Sequence, residues 1–389
     1  MSTLTPEQAA AIASGVYALR DQTVTQAAAR HDVLGCEGMF DVVDDSRFNG
    51  VSGGLYVCKV LGGFGYIAEG IGRHAREILV ATRGTAIGVD WLTNANIGIQ
   101  PGPGGERVHA GFHETWKSFS AEIARFLRGR NPTVIHCVGH SLGGALATLN
   151  ADYFSSIRAG QVKLYTFGSP RVGGSAFAGS LEDRVGTQNI FRTFHCADPV
   201  PMIPLFPFFH VPAAGAGYQL GNGARGIFSP GAHGMAKSYV PGVLDQNWTA
   251  LRNRDLGNDG KMNVQLWLEQ VSAGSGGIVK GSTWALAMIC KALTWLLEKA
   301  ALIAFTGLGA GVSAGLTALD YLAMMLAKGA ELSVEISAYL RTIVAAIFRF
   351  LGRTVTAGAS MTLSFIRWVL DLLHHSLAMV ARRALGVPR

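Results

Sequence analysis

Charge is scarce in this chain. Only 15% of its 389 residues are Asp, Glu, Lys or Arg, against 49% hydrophobic. A chain so poor in charge can bury a large core, which excludes disorder as its ground state. Cysteine is scarce as well. Cys36, Cys58, Cys137, Cys196 and Cys290 fall at no spacing that suits a zinc site or a CxxC redox pair. They are expected to be reduced thiols in or near the core, and no motif calls for a metal or cofactor. The first residues, "MSTLTPEQAAAIASG", lack the basic start and apolar centre of a signal peptide. Thr5, Pro6 and Gln8 predict instead a capped helix start. Cytoplasmic synthesis is the expectation, with membrane association or a non-classical route of secretion compatible with it. A basic stripe interleaved with aromatic residues is also missing, which argues against a nucleic-acid partner.

What is abundant is glycine, with fifty residues, and a positive charge confined to one end. From Gly274 to Arg389 there are eleven Lys and Arg against five Asp and Glu, so this third of the chain carries six of the seven net positive charges. Before it, strand-like and helix-like segments alternate. "EILVATRG" at Glu77, "TVIHCVG" at Thr133, "VKLYTFG" at Val162 and "IFRTFHC" at Ile190 read as short strands buried on both faces. Between them "HETWKSFSAEIARFLRG" from His113 and "LGGALATLNADYFSS" from Leu142 read as helices. Such alternation predicts an α/β fold with a mostly parallel sheet. The division expected is 1–271 for this domain, 272–282 for a small-residue linker, and 283–389 for an apolar, all-helical domain. Twenty uncharged residues separate Lys299 from Asp320, with Gly307, Gly311 and Gly315 at close-packing spacing. That stretch reads either as a membrane span or as a buried helical hairpin turning near Gly309.

Chemistry is concentrated in "VGHSLGGALATL" from Val138. A G-x-S-x-G turn between a buried strand and a helix lifts a serine hydroxyl above the sheet edge, and its glycines avoid a clash. Ser141 is therefore the candidate nucleophile, with the Leu142 backbone N–H as an oxyanion donor. In such sheets the acid follows the serine and the histidine comes last. Asp198, just past the end of the "IFRTFHC" strand, is the candidate acid; its other reading is a turn cap. Glu182 and Asp183 read as solvated. Three histidines compete as base. His195 lies within a strand and His210 sits close behind Asp198 in an aromatic loop, whereas His233 follows a glycine-rich loop with reach, and it is preferred.

Over about Gly15 to Gly242 the chain resembles the class 3, fungal-type lipase family of α/β-hydrolases. The marks are "VATRGT" with "DWLTN", "VHAGFHETW", "VGHSLGGALATL", "YTFGSPRVGG", "ADPVPMIP" and the final pair His233 and Tyr239. The resemblance implies an α/β-hydrolase fold and a triad of Ser141, Asp198 and His233. It also implies that Thr85 donates to the oxyanion beside Leu142, and that Arg83 is a structural arginine at that turn. The lid region after Asp90 is short and glycine-rich, and the helical tail falls outside the pattern. The expected function is hydrolysis of acyl esters of lipids, triacylglycerol or phospholipid, at a membrane surface. A reading of another class is a membrane-active interaction protein or delivered bacterial effector, whose tail binds or inserts into bilayers and which would have a delivery or immunity partner.

Overall fold

The computed structural model describes residues 2–20, 34–42, 46–52, 60–84, 98–205, 207–213, 217–221, 228–253, 263–304, 318–354 and 360–386. Helix α1 (Pro6–Gly15) starts at the predicted cap, where the Thr5 side chain and the Gln8 side chain each accept the other's backbone N–H. Strands β1 (Phe40–Asp41), β2 (Arg47–Ser52), β3 (Val60–Gly70) and β4 (Glu77–Thr82) follow. A small hairpin, β5 (Ile99–Pro101) and β6 (Arg107–His109), leads into α2 (Ala110–Leu127). Then come β7 (Val134–His140), α3 (Leu142–Ser156), β8 (Gln161–Phe167), α4 (Ser175–Val185), β9 (Ile190–His195) and β10 (Tyr218–Leu220).

The main sheet runs β1-β3-β4-β7-β8-β9-β10, with β2 also on β3. From β4 to β10 every pairing is parallel. All four predicted strands fall in this part, and β4 and β7 are buried at every residue, as strands covered on both faces must be. The antiparallel β1–β3 edge was not anticipated. Its glycines carry the reason. A Cβ on Gly65 would lie 2.0 Å from the Ala81 carbonyl oxygen and 2.4 Å from the Phe48 ring. Close approach of strand and ring thus demands glycine where an alternating apolar pattern would have announced a strand.

The tail is helical: α5 (Val264–Ser272), α6 (Thr283–Ala304), α7 (Ala318–Leu332), α8 (Val334–Phe350) and α9 (Leu363–Ala384). These helices do not stand apart. One apolar cluster runs from Phe119 of α2 and Leu146 of α3, through Leu205 and Trp267, to Leu286, Leu293, Ile347 and Leu373. The expected linker begins at the last residue of α5 and continues in turns with Gly274, Gly276, Gly277 and Gly281 at positive φ. Gly276 accepts the Trp267 indole N–H at 3.0 Å. Among the described residues no helix is long and apolar enough to cross a membrane. Gly307, Gly309, Gly311 and Gly315 lie outside those residues.

The opposite end of the sheet from the strand tips holds a buried polar knot. Glu77 Oε2 accepts from His74 Nδ1 (2.8 Å) and His136 Nε2 (3.0 Å), and the Ser2 hydroxyl joins it. Burial alone would raise the Glu77 carboxyl, but hydrogen bonds from His136, Ser2 and His74 hold it well below the carboxylate range. The three side chains are close enough to hold a metal ion, and here they are joined to one another. Among the described cysteines, Cys36, Cys137, Cys196 and Cys290, none is in a disulfide.

Candidate active site

Ser141 follows the last residue of β7 and precedes the first of α3, with φ 59° and ψ −132°. That strained turn needs the flanking glycines. A Cβ on Gly139 would meet the Gly143 oxygen at 2.1 Å, and one on Gly143 would meet the Thr82 oxygen at 2.2 Å. The Ser141 hydroxyl is thereby fixed, 2% exposed, at the end of a fully buried strand. Leu142 opens α3, so its N–H is one of the first-turn donors that no helix carbonyl can satisfy.

Asp198 sits three residues beyond β9, in a turn closed by its own N–H to the His195 oxygen. The carboxylate makes both kinds of contact. Oδ1 accepts the Val200 N–H at 2.9 Å and caps the turn, leaving Oδ2 to receive His233 Nδ1 at 2.8 Å. His233 closes the short helix Pro230–His233, and its Nε2 lies 2.9 Å from Ser141 Oγ. Ser141, His233 and Asp198 thus form one buried hydrogen-bonded line, and Asp198 is wholly removed from solvent. Thr85 lies outside the described residues.

Two further side chains brace the line. The Tyr239 hydroxyl donates to Asp198 Oδ2 at 2.7 Å and accepts the His195 N–H at 3.2 Å. Gly168 (φ +55°) makes room for that pair, since a Cβ there would lie 2.8 Å from both oxygens. His140 packs on the His233 ring, with centroids 4.6 Å apart, and its Nε2 is 2.7 Å from the His233 carbonyl oxygen. A carbonyl only accepts, so Nε2 carries the proton and Nδ1 accepts from the Tyr17 hydroxyl at 2.8 Å. Burial, with His233 adding to it, keeps His140 well below the ordinary imidazole range, so it remains a neutral donor.

Residues 79–208 match the family model for "Lipase (class 3)". The chain contains a class 3 lipase domain. "Secreted mono- and diacylglycerol lipase 1" of Fusarium solani is 39% identical over 139 residues, 34% of this chain and 41% of that protein. "Phospholipase A(1) DAD1, chloroplastic" of Arabidopsis thaliana is 32% identical over 153 residues, 33% of this chain and 34% of that protein. Among solved structures, the triacylglyceride lipase of Rhizomucor miehei aligns with a TM-score of 0.41 at 23% identity, covering 55% of this chain and 78% of that one. The chain spans less than half the length of either curated relative.

In the lipase domain the other candidates fall elsewhere. His210 lines a separate cavity with Arg171 and Arg192, and His195 Nδ1 accepts the Ala197 N–H at 3.1 Å. Asp183 is exposed, as expected. Glu182 is not: it is 9% exposed and accepts the Ala213 N–H. A polar neighbourhood in sequence misled there, because the loop at 213 folds back over the helix. Arg83 is buried beside the turn, giving Nε–H to the Gly63 oxygen at 2.7 Å and Nη1–H to the Gly84 oxygen at 3.0 Å. The bracing roles of His140 and Tyr239 were not read from sequence. His140 stands inside the serine motif, where it could pass for a strand residue.

The pocket over Ser141 has a volume of about 340 Å³. Tyr17, Arg83, Met235 and His233 line it, together with Ala384 and Leu385 at the end of α9. The tail therefore supplies part of the wall of the catalytic pocket.

Proposed function

We propose that the chain hydrolyses carboxylic esters of lipids through an acyl-enzyme on Ser141. The Ser141–His233–Asp198 line, at 2.9 and 2.8 Å, is the observation that carries the reading. Ser141 Oγ attacks the ester carbonyl while His233 Nε2 takes its proton, and Asp198 holds the Nδ1–H and stabilises the imidazolium. The negative oxygen so formed faces the Leu142 N–H, with Thr85 the proposed second donor. Collapse expels the alcohol, which receives the proton from His233. Water then attacks the acyl-enzyme by the same route and releases the carboxylic acid.

Mono- and diacylglycerols or phospholipids are the proposed substrates, following the names of the relatives. A membrane surface is the proposed place of work: Trp368 and Met379 on α9 are 47% and 42% exposed, amid the tail's excess of basic residues. The test is fluorophosphonate labelling with hydrolysis of a lipid panel. Ser141→Ala should lose labelling and lower turnover by on the order of 10⁴-fold or more, without a change in unfolding midpoint. His233→Ala should be nearly as inactive, whereas His210→Ala should retain substantial turnover. Stoichiometric labelling of another serine would sink the assignment.

A further inference from the structure

A second cavity, of about 500 Å³, lies between the β9 side of the lipase domain and helix α6. That is ample for a small ligand with one alkyl chain. Phe194, Leu205, Phe208 and Trp295 make much of its wall apolar. Into the same space come three cationic side chains, Arg171, Arg192 and Lys291.

These cations are not neutralised. Arg192 rests on the Phe194 ring at 4.5 Å, and its Nε is buried with no hydrogen-bond partner. Arg171 donates to the Pro204 oxygen at 3.2 Å and meets the Cys290 thiol. Among the described residues neither arginine nor Lys291 forms an ion pair, and the one acid on the wall, Glu298, is exposed. Burial first, then the charge of Arg171, pulls Arg192 down to about 10. Burial and the same two arginines hold His210 well below the imidazole range, so it adds no further charge. Two half-buried arginines with no acid beside them, at a largely apolar wall, leave a place for an anionic group.

We infer that this cavity binds a single-chain amphiphile with an anionic head, the head on Arg171 and Arg192 and the chain along Phe194, Phe208 and Trp295. A long-chain carboxylate and a monoacyl phosphate share that chemistry. The inference rests on the cavity alone; a long-chain carboxylate is also what the proposed hydrolysis releases, so the site would respond to product.

The experiment is calorimetric titration of the full-length chain with oleate below its micelle concentration, before and after phosphonylation of Ser141. Oleate should bind one to one in both samples, and oleyl alcohol should not. Arg171→Gln and Arg192→Met should weaken binding about ten- to a hundredfold. Arg192→Met should leave the ligand-free melting temperature unchanged or higher, since it removes a half-buried cation that has no acid beside it and a buried Nε with no partner. Lys291→Glu, at an exposed position, should weaken binding without touching the core. A parallel titration with oleoyl glycerol phosphate identifies the head: the tighter of the two ligands is the one the site favours. Equal affinity for oleyl alcohol, binding unaltered in all three variants, or binding abolished by phosphonylation would overturn the inference. Failure of Ser141 to react would count against the hydrolase reading and leave the untreated arm to decide this one.

Discussion

Tyr239 is placed to be a positioning residue. It touches the same Asp198 oxygen as His233, so Oδ2 is held by two donors at 2.7 and 2.8 Å. Burial first, and then the Asp198 charge, push the Tyr239 phenol well above its ordinary range, which keeps it a proton donor at any working pH. Tyr239→Phe removes the hydroxyl, with its bond to Asp198 and its acceptance of the His195 N–H, and leaves the ring in place. The expected result is kcat lower by about tenfold with little change in KM, as loss of one charge-assisted bond implies. Steady-state kinetics on a small soluble ester measure this. An unchanged kcat would make the phenol a packing residue only.

At the scale of elements, the end of α9 decides what can reach the serine. Ala384 and Leu385 share the catalytic pocket with His233 and Ser141, and α9 is anchored by Leu370, Leu373 and Leu377 in the common core. Leu385→Trp should narrow a pocket of about 340 Å³. The KM for long-chain esters should rise several-fold, while that for a short acetyl ester stays near the wild-type value. Equal effects on both esters would mean that α9 merely borders the mouth.

For the whole molecule, the buried histidines set an acid limit. Burial pulls His109 down to about 3, with His374 acting the same way. His136, His140 and His210 are lowered too. Each takes a proton less readily in the fold than in the unfolded chain, which binds one below about 6.5. Their stabilising effect is thus present above that pH and is lost as pH falls toward the folded values. Glu77 acts in the same sense below its ordinary value of 4.5. Urea midpoints should fall between pH 7 and 4, each such histidine contributing a slope of up to about 1.4 kcal/mol per pH unit. His109→Asn keeps an acceptor for the Phe112 N–H and should flatten the curve by one histidine. The tail gives a second test at this scale. Its charges predict flotation of the full-length chain with anionic vesicles at low salt and release at high salt, within the reach of screening. Equal flotation with neutral vesicles would exclude the basic residues as the contact. Because the tail shares the apolar cluster of the lipase domain, truncation after Ser272 should expose Leu205 and Trp267 and yield an aggregating protein.

What the sequence alone determined is whatever local constraint enforces. The parallel strands follow from apolar runs bounded by glycine, the first helix from Thr5 and Gln8, and the serine turn from a backbone approach that admits only glycine at 139 and 143. The order serine, aspartate, histidine pointed to Asp198 and His233, which the fold brings to Ser141, because strand ends and loop reach are properties of the chain itself. Tertiary structure alone decided the rest. That His140 holds the His233 carbonyl depends on two segments 93 residues apart, and nothing in the residues between them records that meeting. The same holds for Arg171, Arg192 and Lys291: they stand in three separate segments, and only the docking of α6 brings them to one largely apolar cavity.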